Sequence, residues 1–150
     1  MKNILNIQNN NYPYLFIDKI LDIDPLSKGK GKKCFTSSEW FFDKGSIDYL
    51  VPNFVIIECL VQIVVITIQT YQPFMNKELN DIRFKEIFFY DSIEAGEVLI
   101  CECSIIKVIR GVVFAETKGF KNNNLICSLK VEIALLEEFN KYIPVKKTNQ

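Results

Sequence analysis

The sequence predicts an α+β domain in which one long buried helix packs against an antiparallel sheet. The first observation is composition: 49% of the 150 residues are hydrophobic, which is enough for one domain with a proper core. The second is an apolar run over residues 54–71 that places hydrophobic side chains on every face, as in a buried helix. The third is a series of alternating apolar and polar segments, separated by turn residues, which is typical of strands.

The central helix is predicted over residues 51–71. Pro52 suits its first turn, where a missing N–H costs nothing, and Asn53 is the alternative as its N-cap. β-Branched residues are frequent in this run, so a pair of buried strands competes with the helix. The length without a turn signal favours the helix, which must end before Pro73.

Three polar residues interrupt this helix. Glu58, Gln62 and Gln69 are spaced by four and then seven residues, which places them on one stripe. An ionised carboxylate in apolar surroundings is costly unless it is paired or hydrogen-bonded. Glu58 is therefore a candidate proton-transfer group. The alternative is a structural glutamate, held by Gln62 or by a backbone N–H of the first turn.

Strands are predicted on both sides of the helix, as a hairpin before it and an antiparallel meander after it. The predicted strands are residues 15–24, 30–37, 81–89, 98–109, 112–120 and 125–136. One apolar helix needs one large curved sheet to wrap it, which is the hot-dog fold. We expect a single hot-dog domain over residues 1–150, with a lead-in at 1–11 and a tail at 139–150 peripheral to it. A single sheet leaves edges to cover, so we also expect dimerisation through a continuous sheet.

Charge and cysteine content exclude several classes of protein. Eighteen basic and 18 acidic residues give a formal net charge of zero, which disfavours nucleic acid as a partner. Glu58 and Gln62 cut the apolar run, and the remainder is shorter than the ~20 residues that a membrane span needs. No signal peptide is visible, and five cysteines without a Cys-x-x-Cys spacing indicate reduced thiols. We therefore expect a cytoplasmic protein with neither a membrane nor a nucleic-acid partner.

The chain contains no histidine. This removes the usual general base, the Ser-His and Cys-His pairs, and most zinc sites. Cys101 and Cys103 share a strand face, but two thiols without a second ligand pair favour core packing over zinc. No glycine-rich phosphate loop is present, so we expect neither a metal nor a cofactor. Acid–base chemistry within this chain must come from carboxylates, lysine, tyrosine or cysteine.

Four stretches, in the same order, resemble the 3-hydroxyacyl-acyl-carrier-protein dehydratases of fatty-acid synthesis. They are residues 12–21 (YPYLFIDKIL), 39–42 (EWFF), 51–62 (VPNFVIIECLVQ), and 83–85 (RFK) with 95–97 (AGE) after it. The stretch over residues 51–62 is the most specific, because it carries both Glu58 and Gln62 in the places of the family's central-helix motif.

The resemblance implies elimination of water from a thioester-linked 3-hydroxyacyl chain. In the family, a loop histidine removes the α-proton, a helix carboxylate on the partner protomer assists loss of the hydroxyl, and backbone N–H groups at the helix start polarise the carbonyl. Glu58 matches the carboxylate and Gln62 a supporting position, whereas Asn53 stands where the family has glycine. Residues 43–49 contain neither the histidines nor the proline of the family's loop. We expect Asn53, Phe54, Gln62 and Phe42 to contact the substrate.

Three functions fit these residues. The first is the histidine-less subunit of a heterodimeric dehydratase, working on thioesters of acyl carrier protein beside a histidine-bearing chain. The second is a hot-dog thioesterase that uses Glu58 as general base or nucleophile on carrier or acyl-CoA thioesters. The third is a non-catalytic acyl-binding or structural partner, in a homodimer or a heterodimer. The basic run Lys28, Lys30, Lys32 and Lys33 is either a solvated turn or a docking patch for an acidic carrier.

Overall fold

The computed structural model describes residues 16–43, 45 and 48–141, without the side chains of residues 139 and 140. Six strands and two helices make up this part of the chain. In chain order they are β1 (Lys19–Asp24), β2 (Lys28–Cys34), α1 (Asn53–Gln69), β3 (Leu79–Phe89), β4 (Val98–Ile109), β5 (Val112–Lys121), β6 (Asn124–Leu135) and α2 (Leu136–Asn140). A 3₁₀ turn at Gln72–Phe74 follows α1.

The strands form one antiparallel sheet with the order β1-β2-β4-β5-β6-β3, which wraps one face of α1. The fold is the predicted hot-dog fold. The predicted meander is right for β4, β5 and β6 and wrong for β3, which lies at the far edge beside β6. The connection from β3 at the edge of the sheet to β4 in its interior passes the loop before α1. There, Val51 N–H donates to Ile93 O at 2.8 Å and Ala95 N–H donates to Tyr49 O at 2.9 Å. These bonds fix the crossover to the loop that precedes the helix.

The central helix is confirmed, and the pair of buried strands is excluded. α1 is 17 residues long and buries twelve of its side chains. Pro52 directly precedes it, and no side chain caps its first turn, so the prediction of Asn53 as the N-cap is wrong. Asn53 is instead the first helical residue. At the other end, Thr70 N–H donates to Ile66 O at 3.0 Å and the chain turns away.

Two glycines of β2 set how closely the helix approaches the sheet. A Cβ atom at Gly29 would lie 2.0 Å from Thr67 Oγ1, and one at Gly31 would lie 3.1 Å from Ile63 Cδ1. Real Cβ atoms do not come within 3 Å of another heavy atom, so the backbone of β2 is as near to α1 as a glycine allows. Both glycines face inward, and the inward positions of β2 continue with Lys33 and then Phe35.

Four of the five cysteines lie in the core. All five thiols are free, and those of Cys59, Cys101, Cys103 and Cys127 are buried. Burial raises the pKa of the Cys127 thiol to about 11 and that of Cys59 further still. The core packing predicted for Cys101 and Cys103 is confirmed. Within the described ranges, no group of three or more His, Cys, Asp and Glu side chains could hold a metal ion.

The ends of the chain differ from the expectation in one respect. The tail expected at residues 139–150 begins within the short helix α2, and its residues 142–150 lie outside the described part. The lead-in at 1–11 lies outside it as well. None of the helices in the part of the chain that can be described has the length and apolar content of a membrane span.

The first prediction concerns the approach of the helix to β2. Gly29→Ala should lower the free energy of unfolding by about 1–3 kcal/mol, because the new methyl group overlaps the Thr67 hydroxyl in a packed core. Urea unfolding measures the change. Gly45→Ala is the matched control, since the nearest atom to its Cβ would be 3.8 Å away, and it should change stability little. Equal stability of the two variants would contradict the close approach.

The second prediction concerns alkaline pH. Thiols of the unfolded chain ionise above their ordinary pKa of 9.0, while burial holds the pKa of Cys127 at about 11. The unfolded state therefore binds fewer protons in this range, and stability should fall between pH 9 and 11 by about 1.4 kcal/mol per pH unit for each such thiol. Cys127→Ala should flatten this slope in urea unfolding. Cys34→Ala, at a partly exposed thiol, should leave it unchanged.

Candidate functional site

Glu58 lies in the second turn of α1 and is held by a buried amide. Gln62, one turn further along and 2% exposed, donates from Nε2 to Glu58 Oε1 at 3.2 Å. The same amide accepts, at its Oε1, the backbone N–H of Phe16 at 2.9 Å. Glu58 itself is half-buried rather than enclosed in apolar surroundings, which corrects the expected depth. No residue in the described ranges forms an ion pair with it.

The start of α1 leaves backbone donors near this carboxylate. The first N–H groups of any helix have no acceptor within the helix, and here no side chain caps them. The helix dipole adds positive potential at the same end. Asn53 and Phe54 are exposed, with 58% of Phe54 accessible, so both predicted contact residues lie at the surface of this protomer. An anionic or polarised oxygen would be stabilised there.

Aromatic rings surround the approach to the helix start. Phe41 contacts the rings of Phe16, Trp40 and Phe42 at centroid distances of 6.1, 5.7 and 4.8 Å. Phe42 also meets Tyr49 at 5.7 Å and is only 8% exposed. Phe42 therefore belongs to the hydrophobic core, and the exposed rings of this cluster are those of Trp40 and Tyr49. These two are the aromatic residues that a ligand could reach from solvent.

A groove of 540 Å³ opens beside the loop that leads into α1. It is lined by Phe35, Thr36, Ser37, Asp48, Tyr49, Glu94, Ala95 and Gly96. None of the five predicted site residues lines it. The groove and the Glu58 carboxylate are therefore separate features of the described chain, and Phe35 and Tyr49 of the groove pack on the aromatic cluster.

Lys33 is a buried lysine, paired with two more exposed acids, that sequence reasoning missed. Its side chain is 6% exposed and contacts the carboxylate of Glu39, with Asp18 Oδ1 at 3.6 Å. The predicted docking patch is therefore not one surface, because Lys33 faces the core while Lys30 pairs on the outer face with Glu102 at 3.1 Å. The alternation of Gly29, Gly31, Lys33 and Phe35 on one side of the strand was the signal that could have placed Lys33 inside.

The thiol beside Glu58 is not a nucleophile. Burial raises the pKa of Cys59 well above its usual value; the nearby Lys33 cation opposes this shift, and the carboxylates of Glu58, Asp18 and Glu39 add to it. The charges of all four side chains thus act on the Cys59 thiol, which lies in the first half of α1. The site consists of one held carboxylate and uncapped helix N–H groups, beside a lysine already engaged by two acids.

No protein-family model matches the chain. Its sequence is similar to the 3-hydroxyacyl-[acyl-carrier-protein] dehydratase FabZ of Caldicellulosiruptor saccharolyticus, with 26% identity over 139 residues that cover 88% of this chain and 95% of the relative. The FabZ of Caldanaerobacter subterraneus subsp. tengcongensis is 27% identical over 91% of this chain and 98% of its own length.

Solved structures share the fold. The dehydratase heterocomplex ApeI:P from Xenorhabdus doucetiae superposes with a TM-score of 0.74 at 8% identity, over 97% of this chain and 93% of that one. Zebra fish thioesterase superfamily member 2 superposes with a TM-score of 0.62 at 15% identity, over 77% and 79%. The chain is thus similar in sequence to 3-hydroxyacyl-[acyl-carrier-protein] dehydratases over most of its length, and the solved structures share its hot-dog fold.

Proposed function

We propose that this chain is the histidine-less subunit of a heterodimeric dehydratase that removes water from 3-hydroxyacyl thioesters on acyl carrier protein, in fatty-acid or polyketide-type biosynthesis. The observation that carries the proposal is Glu58, held by Gln62 near an uncapped helix start in a chain without histidine. The dehydratases similar in sequence support the reaction class, and the five free thiols fit a reducing cytoplasm.

In the proposed reaction each chain supplies one half of the acid–base pair. A base on the second chain takes the α-proton, and the electron pair moves into the thioester carbonyl, where N–H groups at the start of α1 stabilise the enolate oxygen. The Glu58 carboxyl group acts as the general acid: it passes a proton to the leaving hydroxyl as the C–O bond breaks, which releases water and forms the C=C bond. Gln62 holds Oε1, which leaves Oε2 for the substrate hydroxyl.

The edge strand β3 supports assembly with a second hot-dog chain. It is eleven residues long, and all but its terminal residues are exposed. Ile82, Phe84 and Phe88 are 41, 45 and 52% exposed. A long apolar edge with unpaired backbone groups is a template for another strand. Because a homodimer of this chain would contain no histidine at all, the proposal requires a different, histidine-bearing partner.

The third prediction tests the shared site. This chain should co-purify with a histidine-bearing dehydratase subunit, and the mixture should dehydrate a 3-hydroxyacyl carrier thioester that neither chain dehydrates alone. Glu58→Gln should lower that activity by about 10²-fold or more, as expected for loss of a general acid. Glu116→Gln is the matched control, since this carboxylate is also half-buried but lies on the outer face of the sheet. Full activity of the Glu58 variant, or no complex with any such subunit, contradicts the proposal.

A thioesterase is the second candidate, favoured by a carboxylate that needs no histidine and by the structural likeness to a thioesterase superfamily member.

The fourth prediction separates the dehydratase subunit from the thioesterase. The isolated chain should leave acyl-CoA and acyl-carrier thioesters intact when their absorbance is followed in the ultraviolet. Steady hydrolysis that is lost in Glu58→Gln would establish the thioesterase instead. Carrier binding without turnover, alone or in any mixture, would indicate the non-catalytic acyl-binding partner.

A further inference from the structure

Lys33 occupies the layer between the sheet and the helix, at the level of the Glu58 turn. Two residues along a strand advance by about 6.6 Å and one helical turn by about 5.4 Å, so inward positions of β2 keep step with successive turns of α1. Gly29 lies at Thr67 and Gly31 at Ile63. The next inward residue, Lys33, accordingly lies at the turn of residues 58 and 59, where its charge acts on the Cys59 thiol.

The two acids bound to Lys33 lie close in sequence to Phe16 and to two of the aromatic residues that pack on it. Asp18 follows Phe16 by two residues at the entry to β1, and its Oδ2 accepts Cys34 N–H at 2.6 Å. Glu39 directly precedes Trp40 and Phe41, whose rings lie 6.5 and 6.1 Å from that of Phe16. The Lys33 ammonium group therefore connects two segments that flank Phe16, one at Asp18 and one at Glu39.

Phe16 in turn fixes the amide that holds Glu58. Its N–H donates to Gln62 Oε1, which determines the orientation of the amide and leaves Nε2 to donate to Glu58. We propose that Lys33 is the positioning residue of the Glu58 site: through Asp18 and Glu39 it fixes the Phe16 backbone N–H, which orients Gln62 and hence the carboxylate. The role of Glu58 rests on the proposed function, but these contacts do not depend on it.

Because the charged group of Lys33 is buried, it requires its contacts with Asp18 and Glu39. Burying an ammonium group is unfavourable unless it is paired, and well-packed apolar residues often replace a buried ion cluster without loss of stability. In the proposal, the cluster acts on the geometry of its neighbours. Lys30, three residues earlier, offers a direct contrast, since its pair with Glu102 is exposed on both sides and contributes little to any neighbour.

The fifth prediction reads the hydrogen bond of Phe16 by nuclear magnetic resonance. In Lys33→Met, hydrogen exchange of the Phe16 amide should accelerate about tenfold or more, as expected when a buried hydrogen bond is weakened, and the side-chain amide signals of Gln62 should move. Lys33→Arg keeps the cation and should restore most of the protection. Lys30→Met is the matched control and should match the wild type. A folded Lys33→Met protein with unchanged Phe16 exchange and Gln62 signals overturns the proposal.

A second variant covers the case in which Lys33→Met does not fold, because two acids have lost their partner. The neutral triple variant Asp18→Asn, Lys33→Met, Glu39→Gln removes all three charges at once and should fold with the same loss of Phe16 protection. If the triple variant is also unfolded, the cluster is needed for stability and the positioning role is overturned. Faster Phe16 exchange in the variant, together with an inactive mixture of the two wild-type chains, would contradict the dehydratase alone. An active wild-type mixture, together with unchanged Phe16 exchange in the variant, would contradict the positioning role alone.

Discussion

The depth at which α1 sits against β2 is the constraint on which the rest of the structure depends. At Gly29 and Gly31 the strand presents only backbone, and the Thr67 hydroxyl fills the space that a side chain would take while it donates to Ile63 O at 2.7 Å. Toward the start of the helix the inward residues of β2 become large. The layer there must accommodate Lys33 and Phe35. The same strand thus packs closely on the end of the helix near Thr67 and leaves room for a charged side chain at the other end, where Glu58 lies.

The end of the helix near Glu58 is held by the buried amide of Gln62. Gln62 is nearly fully buried, and a buried amide without hydrogen bonds costs about 1–3 kcal/mol. Its bonds to Phe16 and Glu58 therefore determine both the path of the entering chain and the orientation of the carboxylate. Exposed pairs on the outer face, such as Lys85 with Glu132 at 2.7 Å, are each worth about 1 kcal/mol or less and position nothing within the core.

Local patterns in the sequence predicted what is local in the structure. The apolar run gave α1, alternation gave β4 to β6, and the spacing of four residues predicted the contact between Glu58 and Gln62. Two features depend on distant parts of the chain and were not predictable from such patterns, and a third was predictable from alternation but missed. β3 pairs with β6, although β4 and β5 lie between them in the sequence. The backbone of Phe16 bonds to Gln62, which is 46 residues away along the chain. The run of lysines suggested solvent, although strand alternation turns Lys33 to the inside.

A structural glutamate and a catalytic one make different demands on this site. A purely structural role could be met by apolar side chains at positions 58 and 62, since most of the buried side chains of α1 are apolar and its sheet is already closely packed. Instead the chain buries an amide, orients it through a backbone N–H from another element, and directs it at a carboxylate that stays half-exposed beside uncapped helix donors. This arrangement holds a carboxylate where an outside molecule can reach it. Under the proposed function, the base that this histidine-free chain lacks is supplied by the second chain.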